Sequence, residues 1–175
     1  MNQLTEGEEK QLIDLLEKLN PGHLSTDLFY SIARLVVTPT FVTVPIVCSE
    51  NKVKVYLKKR SADDRSYPNM LHSVGKVILS SDETLNETYS RLLHSELGEV
   101  TIKRGPVFVN VVFENIVRGK EVSLIHWVEL EETLDANCLY DASDLPKETI
   151  PTDIKRIEMA VNHFVSDSRT GNNPK

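Results

Sequence analysis

The chain has 175 residues, 40% apolar and 26% charged, the proportions of a single globular domain large enough to bury a core. A net charge of −6 and a pI near 5.4 exclude a general nucleic-acid binder, which needs a cationic excess to neutralise phosphates. The polar, acidic start MNQLTEGEEKQ is neither a signal nor a transit peptide, and no apolar run reaches the length of a membrane span, so the expectation is a cytoplasmic protein without a membrane partner.

Leu12, Ile13, Leu15, Leu16 and Leu19 form an apolar stripe at helical spacing that Pro21-Gly22 ends. A second helix, capped by Ser25, Thr26 or Asp27, carries Leu28, Phe29, Ile32, Ala33 and Leu35 and closes at Pro39. Residues 41–48 are a strongly apolar strand. Pro45 within it has no N–H to give to a ladder, so the strand is expected at an edge or with a bulge. After a turn at Ser49-Glu50-Asn51, Val53, Val55 and Leu57 alternate with Lys52, Lys54 and Lys58, completing a hairpin. A polar loop at 60–69 and an extended stretch at 71–79 follow. Ser81 or Asp82 caps a helix that runs to Leu97, where Gly98 stops it. Residues 100–102 and 107–116 are strands around Gly105-Pro106. Val122, Leu124, His126, Val128 and Leu130 share one face of a long strand after a turn at Gly119. A loop with Asp141, Asp144 and Pro146 leads to a final helix, capped by Thr152 or Asp153, with Ile154, Ile157, Ala160, Val161 and Phe164 inward. This order is that of an α+β domain. Cys48 and Cys138 stand in no metal-ligand spacing and read as two buried free thiols.

Within residues 75–98, Glu83, Arg91, Leu93, Glu96 and Gly98 match the spacing of the Nudix box, G-x5-E-x7-R-E-U-x-E-E-x-G-U, where U is bulky and apolar. The segment therefore resembles a degenerate Nudix box. It departs at Leu92 and Ser95, where the family carries glutamates, at Gly75, two residues too far upstream of Glu83, and at Glu99, which stands where the last apolar residue belongs. Softer likenesses are the strand ending in Arg60, Tyr67-Pro68-Asn69 in place of a W-P-G, and Asp144-Leu145-Pro146 in place of a D-E-L-P. The resemblance implies an α/β/α sandwich with a mixed sheet over residues 41–165, a helical N-terminal extension at 1–40 and a flexible tail at 166–175.

In that family the box glutamates hold Mg²⁺ or Mn²⁺ against a diphosphate. The three positions on one helix face are Leu92, Ser95 and Glu96 here. By resemblance Glu96, Glu83 and Arg91 are the catalytic candidates. Glu96, Glu83 and Asp82 are the metal candidates, with either Asp82 or Glu83 as the loop acid that pairs with Arg91. Leu85, Tyr89, Leu92 and Glu96 fall on one stripe, so Glu96 either survives as a metal ligand or pairs with a lysine at the end of an apolar face. Glu114, Glu129, Glu131 and Glu132 are acids outside the box that a working site would recruit.

Arg60, Tyr67, His72 and Gly75 are the substrate-binding candidates. Arg60 holds a phosphate or pairs with Asp63 or Asp64, within a local basic patch of Lys58, Lys59 and Arg65. Tyr67 stacks on a ring or packs its loop; His72 acts as a base, binds phosphate or is a structural hydrogen-bonded histidine. His126 reads as core and Trp127 as core under a helix. Ser73 and Ser95 have no triad partners, and no phosphate-cradling glycine-rich loop is present. The expected function is a Nudix-type domain that binds a nucleoside diphosphate-type ligand with weak or lost hydrolysis. The alternatives are an active Mg²⁺-dependent hydrolase and a protein-interaction module, with a homodimer possible.

Overall fold

The computed structural model describes residues 4–49, 52–131 and 135–170. The Glu50-Asn51 half of the expected turn, Glu132 and residues 171–175 lie outside them. Helix α1 (Glu6–Leu16) starts at Thr5, which accepts from the Glu8 N–H while the Glu8 carboxylate accepts from the Thr5 N–H at 2.8 Å, a reciprocal cap. No residue of α1 is buried. Helix α2 (Thr26–Ala33) is capped by Ser25.

The strands are β1 (Val37–Ser49), β2 (Lys52–Tyr56), β3 (Lys58–Lys59), β4 (Leu71–His72), β5 (Val74–Val77), β6 (Ile102–Ile116), β7 (Gly119–Leu130) and β8 (Leu139–Asp141). The main sheet runs β6-β7-β1-β2-β8, with β5 also on β1; β3 and β4 pair separately. The sheet is mixed, because β1 and β7 run parallel while the other pairs are antiparallel.

β1 is central, which corrects the expectation of an edge strand. One of its sides lies along β7; the other meets β5 at residues 40–43 and β2 at residues 46–49. Pro45 falls in the break between β5 and β2, where no neighbour is deprived of an N–H. Pro39, expected to close α2, lies inside β1 just past β5, and its carbonyl accepts from the Ile78 N–H at 3.0 Å.

β6 is one strand where two were expected; register shifts near Arg104 and between Phe108 and Asn110 absorb the irregular sequence. Gly105, at φ 104°, approaches β7 so closely that a Cβ would lie 2.8 Å from the Trp127 carbonyl oxygen. Gly119, at φ 134°, packs the β6–β7 turn against the end of α2, with a Cβ position 2.8 Å from the Ala33 oxygen.

Helix α3 (Leu85–Leu92) is capped by Thr84, not by Ser81 or Asp82, and continues as a π-helical turn (Leu93–Leu97) to Gly98 at φ 69°. Helix α4 (Pro151–Thr170) begins with proline, whose fixed φ and missing N–H suit the first helical position. Asp153 therefore sits inside the first turn rather than capping it, and the helix extends past 166 into the expected tail.

The helices cover opposite faces of the sheet. Val44, Ile46, Ile125 and Trp127 pack against Ile157, Ala160 and Phe164 of α4. Phe41, Val47, Val74 and Val128 pack against Tyr89 and Leu92 of α3. Trp127 is fully buried, and its Nε1–H donates to His163 Nδ1 at 3.0 Å. His126 is buried and stacks on Phe41 with ring centroids 4.0 Å apart. Both cysteines are free, but Cys48, at the hairpin end of β1, is exposed and Cys138 is half-buried, which corrects the expectation of two buried thiols. Among the described residues no helix is long and apolar enough to cross a membrane.

Candidate functional site

A cleft of about 230 Å³ opens where β1, the 60–69 loop, β4–β5, the β6–β7 turn and the first turn of α4 meet. Gly75 lies opposite Val42 on its floor; a Cβ there would stand 3.6 Å from the Thr40 and Val42 methyl groups, so glycine leaves that space to the cleft. Arg60, Tyr67 and His72 line the same space.

Asp64 organises the loop that carries two of them. Its carboxylate accepts from Arg60 Nη1 at 2.7 Å and from the N–H groups of Ser66 and Tyr67 at 2.9 and 2.8 Å. Burial pushes this carboxyl up, but the N–H donors and the Arg60 guanidinium outweigh it and hold it below the usual range. Arg60 lies 6.0 Å from the Tyr67 ring centroid, so charge and aromatic face reach the cleft together.

His72 Nδ1 is 2.6 Å from the Ser73 carbonyl oxygen. A carbonyl only accepts, so Nδ1 carries the proton and Nε2 keeps its lone pair. Burial, aided by the Arg60 charge, lowers the His72 pKa to about 4. At neutral pH it offers an acceptor and no positive charge, which removes it as a cationic phosphate holder.

The far wall is built on Arg156 of α4. It donates to Glu114 Oε1 at 2.5 Å, to Glu121 Oε1 at 2.8 Å and to Asp153 Oδ1 at 3.1 Å. Arg118, from the β6–β7 turn, donates to the other oxygen of Glu121. Asp153 Oδ2 accepts from the Ser73 N–H at 2.9 Å; burial pushes the Asp153 carboxyl up. The N-terminal helix α2 props this wall: Phe29 lies under the Arg118 guanidinium, and Tyr30 Oη is 2.6 Å from Ser66 Oγ.

The box segment lies on the α3 side. Arg91 grips Asp82 through Nε at 2.9 Å and Nη2 at 2.5 Å, and Nη2 also donates to the Val77 carbonyl at 3.1 Å. Asp82 further accepts from Thr88 Oγ1 and the Leu79 N–H. The Arg91 hydrogen bonds bring its pKa down to about 2. Of the two acids, Asp82 is the one that pairs with Arg91. Glu83 is exposed, and its N–H donates to Glu87. Leu92 is fully buried in the α3 core, Ser95 is exposed with Oγ bonded to the Arg91 carbonyl, and Leu85 stays in solvent. Glu96 places Oε2 2.8 Å from Lys58 Nζ and Oε1 2.6 Å from Lys76 Nζ. Burial raises this carboxyl, and the two ammonium groups outweigh burial and keep it ionised.

No family model matches the chain, and no curated protein matches its sequence. Solved structures do match in shape. The NUDIX domain of Shewanella oneidensis NrtR, complexed with ADP ribose, aligns over 92% of this chain and 99% of its own at TM-score 0.52 and 17% identity. A mutT/nudix family protein from Listeria innocua aligns over 76% and 97% at TM-score 0.57 and 11% identity. A C. elegans Ap4A hydrolase binary complex aligns over 75% and 99% at TM-score 0.54 and 10% identity. The chain has the Nudix fold.

On this Nudix fold, Arg60, Tyr67, His72 and Gly75 share one cleft, whereas Glu83, Asp82, Arg91 and Glu96 stand outside its lining. The residues present do not fit a divalent cation at the box. Leu92 is apolar, Asp82 is saturated by donors, and both oxygens of Glu96 face ammonium groups. Among the described residues no group of three or more His, Cys, Asp or Glu side chains is placed to hold a metal. Two of the outside acids are likewise engaged, Glu114 with Arg156 and Glu129 with Lys103 and Arg104, while Glu131 is exposed. Arg118, Glu121, Asp153 and Arg156 were not among the sequence candidates. Their one signal is that Glu121 stands in phase with Trp127, so a carboxylate had to be buried and paired.

Proposed function

We propose that this Nudix-fold domain binds a nucleoside diphosphate-type ligand in the cleft, without a box-bound metal and with weak or lost hydrolysis. The observation that carries the reading is the pairing of both Glu96 oxygens with Lys58 and Lys76. Two ammonium groups supply there the positive charge that a hydrated cation brings, and they repel a second one.

The cleft has the composition for an anion with a ring attached. Arg60, Arg118 and Arg156 bring guanidinium groups to its lining, held in place by Asp64, Glu121 and Asp153. Arg60 presents a planar fork to phosphate oxygens, and Tyr67 beside it presents an aromatic face. The neutral His72 accepts a hydrogen bond from a hydroxyl or amino group. The complex of the similar NrtR domain with ADP ribose makes that compound the first probe.

Calorimetric titration with ADP-ribose, run in EDTA and again in Mg²⁺, tests the proposal, with cleavage to AMP and ribose 5-phosphate followed in aliquots of the same samples as phosphate released from those monoesters by an added phosphatase. The expected result is equal affinity in both buffers and no release. Release that depends on Mg²⁺ establishes the hydrolase reading instead.

A further inference from the structure

We propose that the chain forms a homodimer in which α1 of each copy lies on the uncovered sheet face of the other. Among the described residues, two apolar surfaces stand largely exposed. The first is α1. Its ends are well formed, yet Leu12, Ile13, Leu15 and Leu16 are 45, 49, 53 and 44% exposed. A helix this short gains its stability from packing its apolar stripe, and among the described residues none of α1 is buried.

The second surface is the outer half of the sheet on the α3 side. Helix α3 covers Phe41, Val47 and Val74, and the face then continues across β7 to β6. Phe108, Val111 and Phe113 stand there 52, 48 and 58% exposed. The register puts them together. Phe108 lies opposite His126, which stacks on Phe41, while Val111 lies opposite Leu124 and Phe113 opposite Val122, at alternate positions of β7. The bulge after Phe108 keeps it in phase with Val111.

The face is long enough to seat the stripe, and the two surfaces are complementary in charge. The apolar stripe from Leu12 to Leu16 rises about 6 Å along the axis of α1. Phe108 to Phe113 in extended chain spans about 17 Å. The polar side of α1 is acidic, with Glu6, Glu8 and Glu9 in its first turn, and Lys120 sits over the Phe113 ring at 5.2 Å with Arg34 exposed nearby. A second copy is the occupant because each chain brings one helix and one face. Reciprocal seating closes a two-fold pair and leaves neither surface open.

Sedimentation equilibrium of the full chain tests this, with a helix variant (Leu12→Glu with Leu16→Glu) and a face variant (Val111→Glu with Phe113→Glu). All four positions are exposed, and circular dichroism melting confirms folding. The expected result is a wild-type dimer, dimerisation weakened by about 100-fold in each variant, and heterodimer recovered when the two variants are mixed, since one intact helix then meets one intact face. A monomeric wild type, including one whose α1 turns onto its own sheet, overturns the proposal. So does a dimer that survives both variants, or a mixture that stays monomeric.

Discussion

Lys76 Nζ lies 2.6 Å from Oε1 of Glu96, with Lys58 Nζ 2.8 Å from the other oxygen. Lys76 stands on β5 two residues after Val74, whose side chain belongs to the α3 core, so strand alternation aims the ammonium at the helix. Glu96 sits on the π-helical turn, where the Gly98 N–H reaches the Leu93 carbonyl at 2.9 Å. The carboxylate is thereby tied to the sheet instead of standing free for a cation.

Replacing Glu96 by Gln leaves two ammonium groups facing each other. The expected cost is about 1 kcal/mol, kept small because both lysines are partly solvated. Urea unfolding midpoints measure it. Added Mg²⁺ leaves wild type and variant unchanged; a Mg²⁺-induced gain confined to wild type makes Glu96 a metal ligand after all.

Leu92 and Ser95 predict opposite outcomes for restoring the glutamates. Leu92 is fully buried among Phe41, Tyr89 and Val128. Leu92→Glu therefore places a carboxylate in an apolar core, with an expected loss of at least about 3 kcal/mol. Ser95 is exposed, and Ser95→Glu is expected to stay within about 0.5 kcal/mol. Thermal melts of the two single variants decide the matter, and a stable Leu92→Glu domain contradicts the packing argument.

The Asp82–Arg91 pair holds the loop ahead of α3. Asp82→Asn removes the charge that Arg91 grips by two nitrogens and is expected to destabilise by about 2 kcal/mol, with the solvated side of Arg91 limiting the loss. Glu83→Gln, on the exposed neighbour, is expected to be silent. Denaturant unfolding separates the two, and equal effects mean that the carboxylates share the role.

The pH dependence of stability carries the signature of His72. Its pKa falls from 6.5 to about 4 on folding, through burial first and the Arg60 charge second. Stability is complete above pH 6.5 and drains as pH falls toward 4, because the unfolded chain takes up a proton that the folded one refuses. His72→Gln is expected to flatten this slope by up to about 3 kcal/mol. Asp82 adds its own loss lower down, between 3.8 and about 2. Unfolding free energies at half-unit pH steps test the window; an unchanged slope in the variant means His72 takes up its proton equally in the folded and unfolded chain.

Local patterns in the sequence announced local structure. The alternation around Val53 and Val55, the stripe of α4 and the stop at Gly98 all depend on near neighbours, and each appears where the pattern placed it. Pro45 misled because its tolerance comes from the gap between β5 and β2, which only the assembled sheet defines. The cap of α3 misled because Ser81, Asp82 and Thr84, within four residues, all have capping side chains, and Asp82 is claimed by Arg91 of α3 itself. β8 is too short to show a period. In the cleft, Arg60, Tyr67 and Gly75 were candidates by resemblance and His72 by its chemistry, all from the stretch 60–75, and they line one space. Arg118, Glu121, Asp153 and Arg156 come from three elements that meet only through the parallel pairing of β1 and β7 and the docking of α4.

That meeting point has a kinetic consequence. Arg156 joins Glu114 on β6, Glu121 on β7 and Asp153 on its own helix, all by direct ion pairs in a largely buried setting. Releasing any one of them strands a charge beside the other two, so the three elements gain little by separating singly. Amide protons at the start of α4, the end of β6 and the start of β7 should therefore exchange with a common opening rate, as one cooperative unit. Beyond Phe164 the helix is held to β6 by a different cation, Arg104, which donates to Asp167 Oδ2 at 2.7 Å and to Ser168 Oγ at 3.2 Å, so that end opens with the start of β6 instead.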